Sequence, residues 1–164
     1  MPIGEICIRE VIICNRATNV LEAARLMRRY HVGDLVIVAE SEGKRIPVGL
    51  ITDRDIVISV IAPQLDPTRV TAGDLIRREI VVAREEQGVF ETIEQMRAHG
   101  VRRMPVVDQQ GALVGIVSVD DLIELLAEEL SKLPKLVSKE QAQEAERKPS
   151  DSSSVATFGK SAGR

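Results

Sequence analysis

Two short stretches of the chain each place a carboxylate three residues after a hydroxyl side chain. They are VGLITDRD, with Thr52 and Asp55, and VGIVSVDD, with Ser118 and Asp121. One interpretation is a capping box, because these residue types satisfy the free backbone donors at a helix start. The other is a ligand site, because a carboxylate accepts hydrogen bonds from a vicinal diol and a helix start attracts phosphate. Together these groups predict a ribose-phosphate site.

A glycine precedes each motif at the same offset, Gly49 in the first stretch and Gly115 in the second. Glycine weakens a strand and often marks a place where another group approaches closely. The repetition of glycine, hydroxyl and carboxylate favours a ligand site over capping alone, although one carboxylate could serve both purposes.

The elements that position these motifs also occur twice. TNVLEAARLMRRYHVGDLVIV aligns with QGVFETIEQMRAHGVRRMPVV at one constant spacing, which changes only at the polar turn AESEGKRIP. Helical and then strand periodicity predicts a strand, a helix, two strands and a helix in each copy. One copy alone buries too little surface to be stable. We therefore expect an α/β (α+β) fold in which two pseudo-symmetric β-α-β-β-α repeats pack sheet to sheet into one domain.

Particular segments are assigned to these elements by their patterns. The predicted strands are EVIIC, DLVIVAE and PVGLIT in the first copy and EIVVA, RMPVVD and LVGIVS in the second. Asn19 and Glu22 predict a helix start, and the final helices are expected to begin near Asp53 and Val119. The segment TAGDLIRR predicts a short helix that leads into the second copy.

Four segments follow from this organisation. Residues 1–62 form the first repeat, 63–70 a proline-containing connector and 71–131 the second repeat. Residues 132–164 are rich in Ser, Lys and Glu and have no periodic apolar face. We expect them to form a disordered tail, because they lack the apolar content that folding requires.

Composition argues against several functions. The formal net charge is −3 and aromatic residues make up 2% of the chain, so neither electrostatic attraction nor base stacking favours nucleic acid. No apolar stretch approaches the ~20 residues of a membrane span, and charges interrupt the N-terminal segment. We therefore expect a cytoplasmic protein without membrane contact. Cys7 and Cys14 could form a zinc site with His31 and His99, but their spacing favours unrelated thiols.

Known catalytic motifs do not occur in the sequence. It contains no Gly-x-Ser-x-Gly, no Walker loop and no His-Glu-x-x-His. We therefore expect a protein that binds a ligand without turnover and needs no cofactor or metal.

Residues 1–131 resemble a tandem pair of CBS domains, also called a Bateman module. The duplicated motifs carry the resemblance, together with RMPVVD before GALVGIVSVDD, whereas DLVIVAE lacks the proline and final aspartate typical of the family. The resemblance implies a regulatory sensor in signal transduction. Such modules bind AMP, ADP or ATP, and sometimes S-adenosylmethionine or NAD, and act on a regulated protein or an assembly state.

The resemblance also implies where an adenine nucleotide would contact the two repeats. Asp55 and Asp121 would accept from ribose hydroxyls, with Thr52 and Ser118 beside the ribose phosphate. Ile12 and Val81, on the first strand of each copy, match family positions that meet the adenine. Positions just before the second strands often contact the phosphates, and here they are Gly33, Asp34, Arg102 and Arg103, with Arg54 as a further cation. Without the resemblance, Ile12 and Val81 would be interpreted as core residues and the arginines as solvated.

Each cleft of the family tends to combine the motif of one copy with second-strand residues of the other. The first cleft would join Thr52, Arg54 and Asp55 with Arg102 and Arg103, and its arginines would favour ADP or ATP.

The second cleft would join Ser118, Asp120 and Asp121 with Gly33 and Asp34. Its carboxylates would repel a polyphosphate, so we expect this cleft to be empty or to hold a weakly charged adenosine compound.

Two other classes of function remain open: a ligand-free structural or interaction module, and a nucleic-acid binder. The family also implies a disc-like homodimer. The apolar helix residues that could form its interface are Val57, Ile58, Ile61, Leu122, Leu125 and Leu126.

Overall fold

The structure is a computed structural model and describes residues 1–147 of the 164-residue chain. The first repeat contains β1 (Ile13–Cys14), α1 (Val20–Tyr30), β2 (Asp34–Ser41), β3 (Lys44–Thr52) and α2 (Asp53–Ile56), which continues as a π-helical turn (Val57–Ile61). The second repeat contains β4 (Ala83–Arg84), α3 (Val89–His99), β5 (Arg103–Val107), β6 (Leu113–Ser118) and α4 (Val119–Arg147).

Each repeat has a mixed three-stranded sheet of the same topology. β1 pairs in parallel with β2, which pairs antiparallel with β3, and the order β4-β5-β6 repeats this arrangement. Both sheets have a register shift at the equivalent place, between Ile37 and Val38 and between Val106 and Val107. The predicted α/β class and the duplicated β-α-β-β-α order are confirmed.

The core of the first repeat lies between α1 and its sheet. The side chain of Asn19 accepts a hydrogen bond from the Glu22 amide at 2.8 Å, so the predicted helix start is present. From there α1 buries Val20, Ala23 and Met27 against the apolar residues of β2 and β3. Helical spacing places these three side chains on one face, and their burial favours this packing.

The segments that lead into the two repeats are exchanged between them. In the N-terminal lead-in segment, residues 2–8, Ile3 donates its amide to the Gln87 carbonyl of the second repeat at 2.7 Å. In the second lead-in segment, residues 70–76, Ala72 donates its amide to the Thr18 carbonyl of the first repeat at 2.7 Å. This exchange ties the two repeats into one compact unit, Met1–Glu124.

The second lead-in segment is less helical than its sequence predicts. Only Gly73–Leu75 forms a short 3-10 helix, and Ile76 is extended. The Asp74 carboxylate accepts from the amide and the hydroxyl of Thr71, both at 2.8 Å, which closes a single turn. The amides of Ala72 and Gly73 donate to the carbonyls of Thr18 and Arg16 in the first repeat.

Residues 125–147 belong to a second unit. Disorder is predicted for residues 132–164, but the structure corrects this over residues 132–147, where α4 continues to Arg147. Leu, Lys, Glu, Gln and Ala favour a helix here through their intrinsic propensity, whereas Pro134 inside α4 opposes it. Residues 148–164 lie outside the described part of the chain. No helix within residues 1–147 combines the length and the apolar character that crossing a membrane requires.

Candidate functional site

The first hydroxyl-carboxylate motif is a complete capping box at the start of α2. Asp55 Oδ2 accepts hydrogen bonds from the Thr52 amide at 2.9 Å and from Thr52 Oγ1 at 2.8 Å. The Asp55 amide donates to Thr52 Oγ1 at 3.1 Å. The Asp53 amide donates to the Gly33 carbonyl at 3.0 Å, which fixes the helix start against the chain before β2. α2 has four residues and is continued to Ile61 by the π-helical turn.

The second motif repeats this geometry at the start of α4. Asp121 Oδ2 accepts from the Ser118 amide at 2.8 Å and from Ser118 Oγ at 2.6 Å. The Val119 amide donates to the Arg102 carbonyl at 2.9 Å, the counterpart of the bond between Asp53 and Gly33. The duplicated sequence therefore forms two equivalent motifs.

Capping bonds do not by themselves identify a ligand site. Thr71 and Asp74 form the same bonds at an exposed turn of the second lead-in segment. The capping interpretation is thus correct for both repeated motifs. Whether either motif also contacts a ligand depends on what surrounds it.

The first motif lines a cavity between the two repeats, with a volume of about 680 Å³. Six of the predicted site residues line it: Thr52, Arg54, Asp55, Val81, Arg102 and Arg103. The structure therefore brings the motif of one repeat together with the residues that begin the second strand of the other. This is the crossed arrangement that the resemblance implies for the first cleft.

Positive charge predominates along the cavity. Five arginines line it, against three carboxylates: Arg54, Arg77, Arg78, Arg102 and Arg103, and Asp53, Asp55 and Glu79. The sequence analysis missed Arg77 and Arg78, because it assigned them to the end of a lead-in helix. The available signal was the pair of arginines directly before the predicted strand EIVVA, which contains Val81. Arg77 donates to Ser59 Oγ at 2.7 Å, which holds its guanidinium beside the end of the first repeat.

An apolar wall completes the cavity. It is formed by Leu75, Ile76, Ile80 and Val81 of the second lead-in segment and the chain that follows it. A Cβ on Gly49 would lie 2.8 Å from Ile76 Cδ1, so the group that this glycine admits is a side chain of the protein. Close approach was correctly predicted at this glycine, but it does not by itself indicate a ligand.

Two arginines of the cavity are paired with carboxylates that the sequence analysis assigned to the second cleft. Arg103 Nε lies 2.9 Å from Asp34 Oδ1, and these side chains are 38% and 16% exposed. Arg102 Nη2 lies 3.7 Å from Asp120 Oδ1, where both side chains are exposed. Burial raises the pKa of Asp34. The positive charge of Arg103 lowers this pKa by a smaller amount, and the negative charge of Asp53 raises it further. Arg103 is therefore not the free cation that its sequence position suggests.

The second cleft differs from the first around Ile8. A Cβ on Gly115 would meet the Cys7 sulfur and the Ile8 carbonyl. Ile8 and Ile116 exchange two backbone hydrogen bonds of 2.9 Å, whereas Arg77 and Leu50, their counterparts in the first cleft, form no such pair within residues 1–147. The N-terminal lead-in segment is thus bonded to β6 beside the second motif.

The remaining predicted residues do not line the 680 Å³ cavity. Ser118 and Asp121 belong to the second motif, and Gly33 and Asp34 lie at the start of β2. Ile12 accepts the Val36 amide through its carbonyl at 3.1 Å and packs against the core of the first repeat. The structure therefore gives Ile12 the core position that it would have on any strand.

Other chemistry-bearing features are less informative. Two further cavities of about 590 and 740 Å³ lie at equivalent places beside β1 and β4, and neither is lined by a repeated motif. Within residues 1–147, His, Cys, Asp and Glu form no group of three that could hold a metal ion. Burial raises the pKa of Cys14 to about 11 and also raises that of Cys7, so both are thiols at neutral pH.

Comparison with known proteins agrees with the duplicated fold and its motifs. The CBS domain profile matches residues 3–61 and 72–128. An uncharacterized protein of Methanopyrus kandleri is 34% identical over 125 residues, which is 76% of this chain and 62% of that protein. The chain belongs to the CBS domain family, as a tandem pair of domains.

Solved structures show the same fold. Hypoxic response protein I with two coordinated zinc ions has 32% sequence identity and a TM-score of 0.65, over 76% of this chain and 98% of that one. A CBS domain protein from Pyrobaculum aerophilum complexed with AMP has 26% identity and a TM-score of 0.66, over 74% and 89%. The chain spans less than two thirds of the length of the Methanopyrus relative.

Proposed function

We propose that the chain is a regulatory module that binds one adenine nucleotide, AMP, ADP or ATP, between its repeats without turning it over. The observation that carries the proposal is the 680 Å³ cavity, which places a diol acceptor, arginines and an apolar wall around one space. The related protein from Pyrobaculum aerophilum, which is complexed with AMP, supports this class of ligand.

Each part of the nucleotide has a group to receive it. Asp55 uses Oδ2 in the capping box, and Oδ1 accepts no hydrogen bond from residues 1–147, so Oδ1 is available to a ribose diol. Ile76, Ile80 and Val81 offer an apolar surface to the adenine, and the arginines offer forked donors to phosphate oxygens. Catalysis is not part of the proposal, which rests on a ligand-binding geometry and on a sequence without a Gly-x-Ser-x-Gly, Walker or His-Glu-x-x-His motif.

Titration with ligands tests the proposal directly. Calorimetry and thermal melting with AMP, ADP and ATP should show one site per chain. A ligand at a hundred times its dissociation constant should stabilise the fold by roughly 2.7 kcal/mol. S-adenosylmethionine, NAD and an oligonucleotide belong in the same series. Binding of one of these alone would replace the proposed ligand, and binding of none would leave a structural or interaction module.

The duplicated motif supplies a matched pair of variants. Asp55→Ala and Asp121→Ala each remove one capping carboxylate, at about 1 kcal/mol of stability. Only Asp55→Ala should also weaken nucleotide binding, by about tenfold, because it alone removes a charged acceptor from the cavity. Equal loss of binding in both variants, or loss in Asp121→Ala alone, would contradict the placement of the site.

We further propose that the module forms a homodimer through the exposed end of the first repeat. Val57, Ile58 and Ile61 are 55%, 48% and 54% exposed on the π-helical turn. Such a contiguous apolar surface is typical of an interface. Leu122, which the sequence analysis added to the exposed set, is 3% exposed, and its neighbour Ile123 is 59% exposed instead.

A further inference from the structure

We propose that Asp34, which pairs with Arg103 but does not line the cavity, controls how strongly the cavity favours nucleotides with more phosphates. It does so by neutralising part of the positive charge of Arg103. This inference rests on the proposed nucleotide site and names a specificity-determining residue for it. Asp34 does not line the cavity, so it would act without touching the ligand.

The geometry places Asp34 behind the arginine. Arg103 lines the cavity, and its Nε lies 2.9 Å from Asp34 Oδ1. Since the ion-pair contact is at Nε, the two terminal nitrogens of the guanidinium are left for a phosphate. Asp34 thus holds the arginine in place and reduces the positive charge that a phosphate would meet.

Burial makes this carboxylate effective over distance. The Asp34 side chain is 16% exposed, so water screens its charge less than that of a surface residue. A second carboxylate, that of Asp53, lines the cavity itself. It lies close to Asp34, since a Cβ on the preceding residue, Gly33, would be 3.4 Å from Asp53 Oδ2. Both carboxylates oppose negative charge at the same end of the cavity, and the penalty increases with each added phosphate.

A second ion pair provides the control. Arg102 also lines the cavity, but its partner Asp120 is 3.7 Å away and both side chains are more than 70% exposed. Exposed pairs contribute little because solvent screens them. Removing the charge of Asp120 should therefore affect the ligand far less than removing that of Asp34.

The experiment compares Asp34→Asn with Asp120→Asn by calorimetry, using adenosine, AMP, ADP and ATP without Mg²⁺ so that the phosphate charge is unmasked. Asparagine keeps an oxygen that can accept from Arg103, so the arginine stays in place while the negative charge is removed. The affinity of Asp34→Asn relative to wild type should increase with phosphate number, from no change for adenosine to a gain of about tenfold for ATP. Asp120→Asn should change ATP affinity by less than about twofold.

Arg103→Gln tests whether the effect passes through the arginine. In the Arg103→Gln protein, Asp34→Asn should raise ATP affinity by a smaller factor than it does in the wild-type chain. An undiminished gain would overturn the role of Arg103, and an equal change for adenosine and ATP, or weaker ATP binding, would overturn the role of Asp34. If the wild-type protein binds none of the four ligands, the proposed function fails together with this inference. If the wild-type protein binds them but the effect of Asp34→Asn does not increase with phosphate number, only this inference fails.

Discussion

Asp34 and Arg103 occupy equivalent positions in the two repeats, each as the first residue of the central strand. Equivalent residues can touch each other only close to the pseudo-twofold axis that relates the repeats. A perfect duplication would place identical side chains there, and two like charges at 2.9 Å would repel strongly. The opposite charges at this pair allow the repeats to pack closely, and they also make the two clefts chemically different.

The pKa of Asp34 predicts how this pair affects stability. Burial raises it, against the effect of Arg103 and together with that of Asp53. Because the pKa is higher in the folded than in the unfolded chain, ionised Asp34 disfavours folding at pH 7. This penalty disappears as the pH falls below the unfolded value of about 4.

Asp34→Asn should therefore be more stable than wild type at pH 7 and lose that advantage near pH ~3.5. Urea unfolding of both proteins at the two pH values measures the difference, with Asp120→Asn as the exposed control. A larger advantage at the lower pH would show that the ion pair, rather than burial, dominates the energy of Asp34.

At the scale of elements, two glycines allow the exchange of lead-in segments. A Cβ on Gly4 would lie 2.9 Å from the carbonyl oxygen of Glu85, and a Cβ on Gly73 would lie 3.0 Å from that of Arg16. In both cases the obstacle is backbone, which cannot turn away as a flexible side chain can. These equivalent glycines permit the close backbone contacts between the repeats.

Gly4→Ala should lower the free energy of unfolding by about 1–3 kcal/mol, because the added methyl group forces the N-terminal lead-in segment away from the second repeat. Gly88→Ala is the matched control, since a Cβ there meets nothing within 4 Å, and it should change stability by less than about 1 kcal/mol. Chemical denaturation measures both. Equal effects would mean that the close contact at Gly4 does not limit packing.

Local patterns predicted the elements well but did not predict the exchange. The second and third strands of each repeat, the helix start at Asn19 and the two capping boxes each depend on residues near in sequence, so periodicity and spacing reveal them. The predicted first strands EVIIC and EIVVA are too long, because only Ile13–Cys14 and Ala83–Arg84 pair with a neighbouring strand. The pairing of Ile8 with Ile116 and of Arg103 with Asp34 joins distant residues and leaves no local pattern. The crossed cavity was predicted only because the family implied it, and Arg77 and Arg78 were missed because TAGDLIRR, which ends with them, was expected to be helical.

At the scale of the whole molecule, the proposed homodimer gives a simple measurement. Light scattering of the 18.0 kDa chain at micromolar concentration should give about twice that mass. Ile58→Glu should give a monomer, because it places a charge within the exposed apolar surface. Phe90→Glu changes a residue of α3 that is 74% exposed and should leave the dimer intact. A monomeric wild type, or dissociation by Phe90→Glu alone, would exclude the proposed interface.

The exchanged lead-in segments also constrain the order of events during synthesis. The N-terminal lead-in segment leaves the ribosome before the rest of the two repeats, but its partners Gln87 and Ile116 belong to the second repeat and are made much later. Until then Ile3, which is fully buried in the finished fold, has no surface to cover it. Residues 2–8 are thus translated before their partners and are among the last to reach their native places, so the growing chain carries an exposed apolar segment until the second repeat is complete.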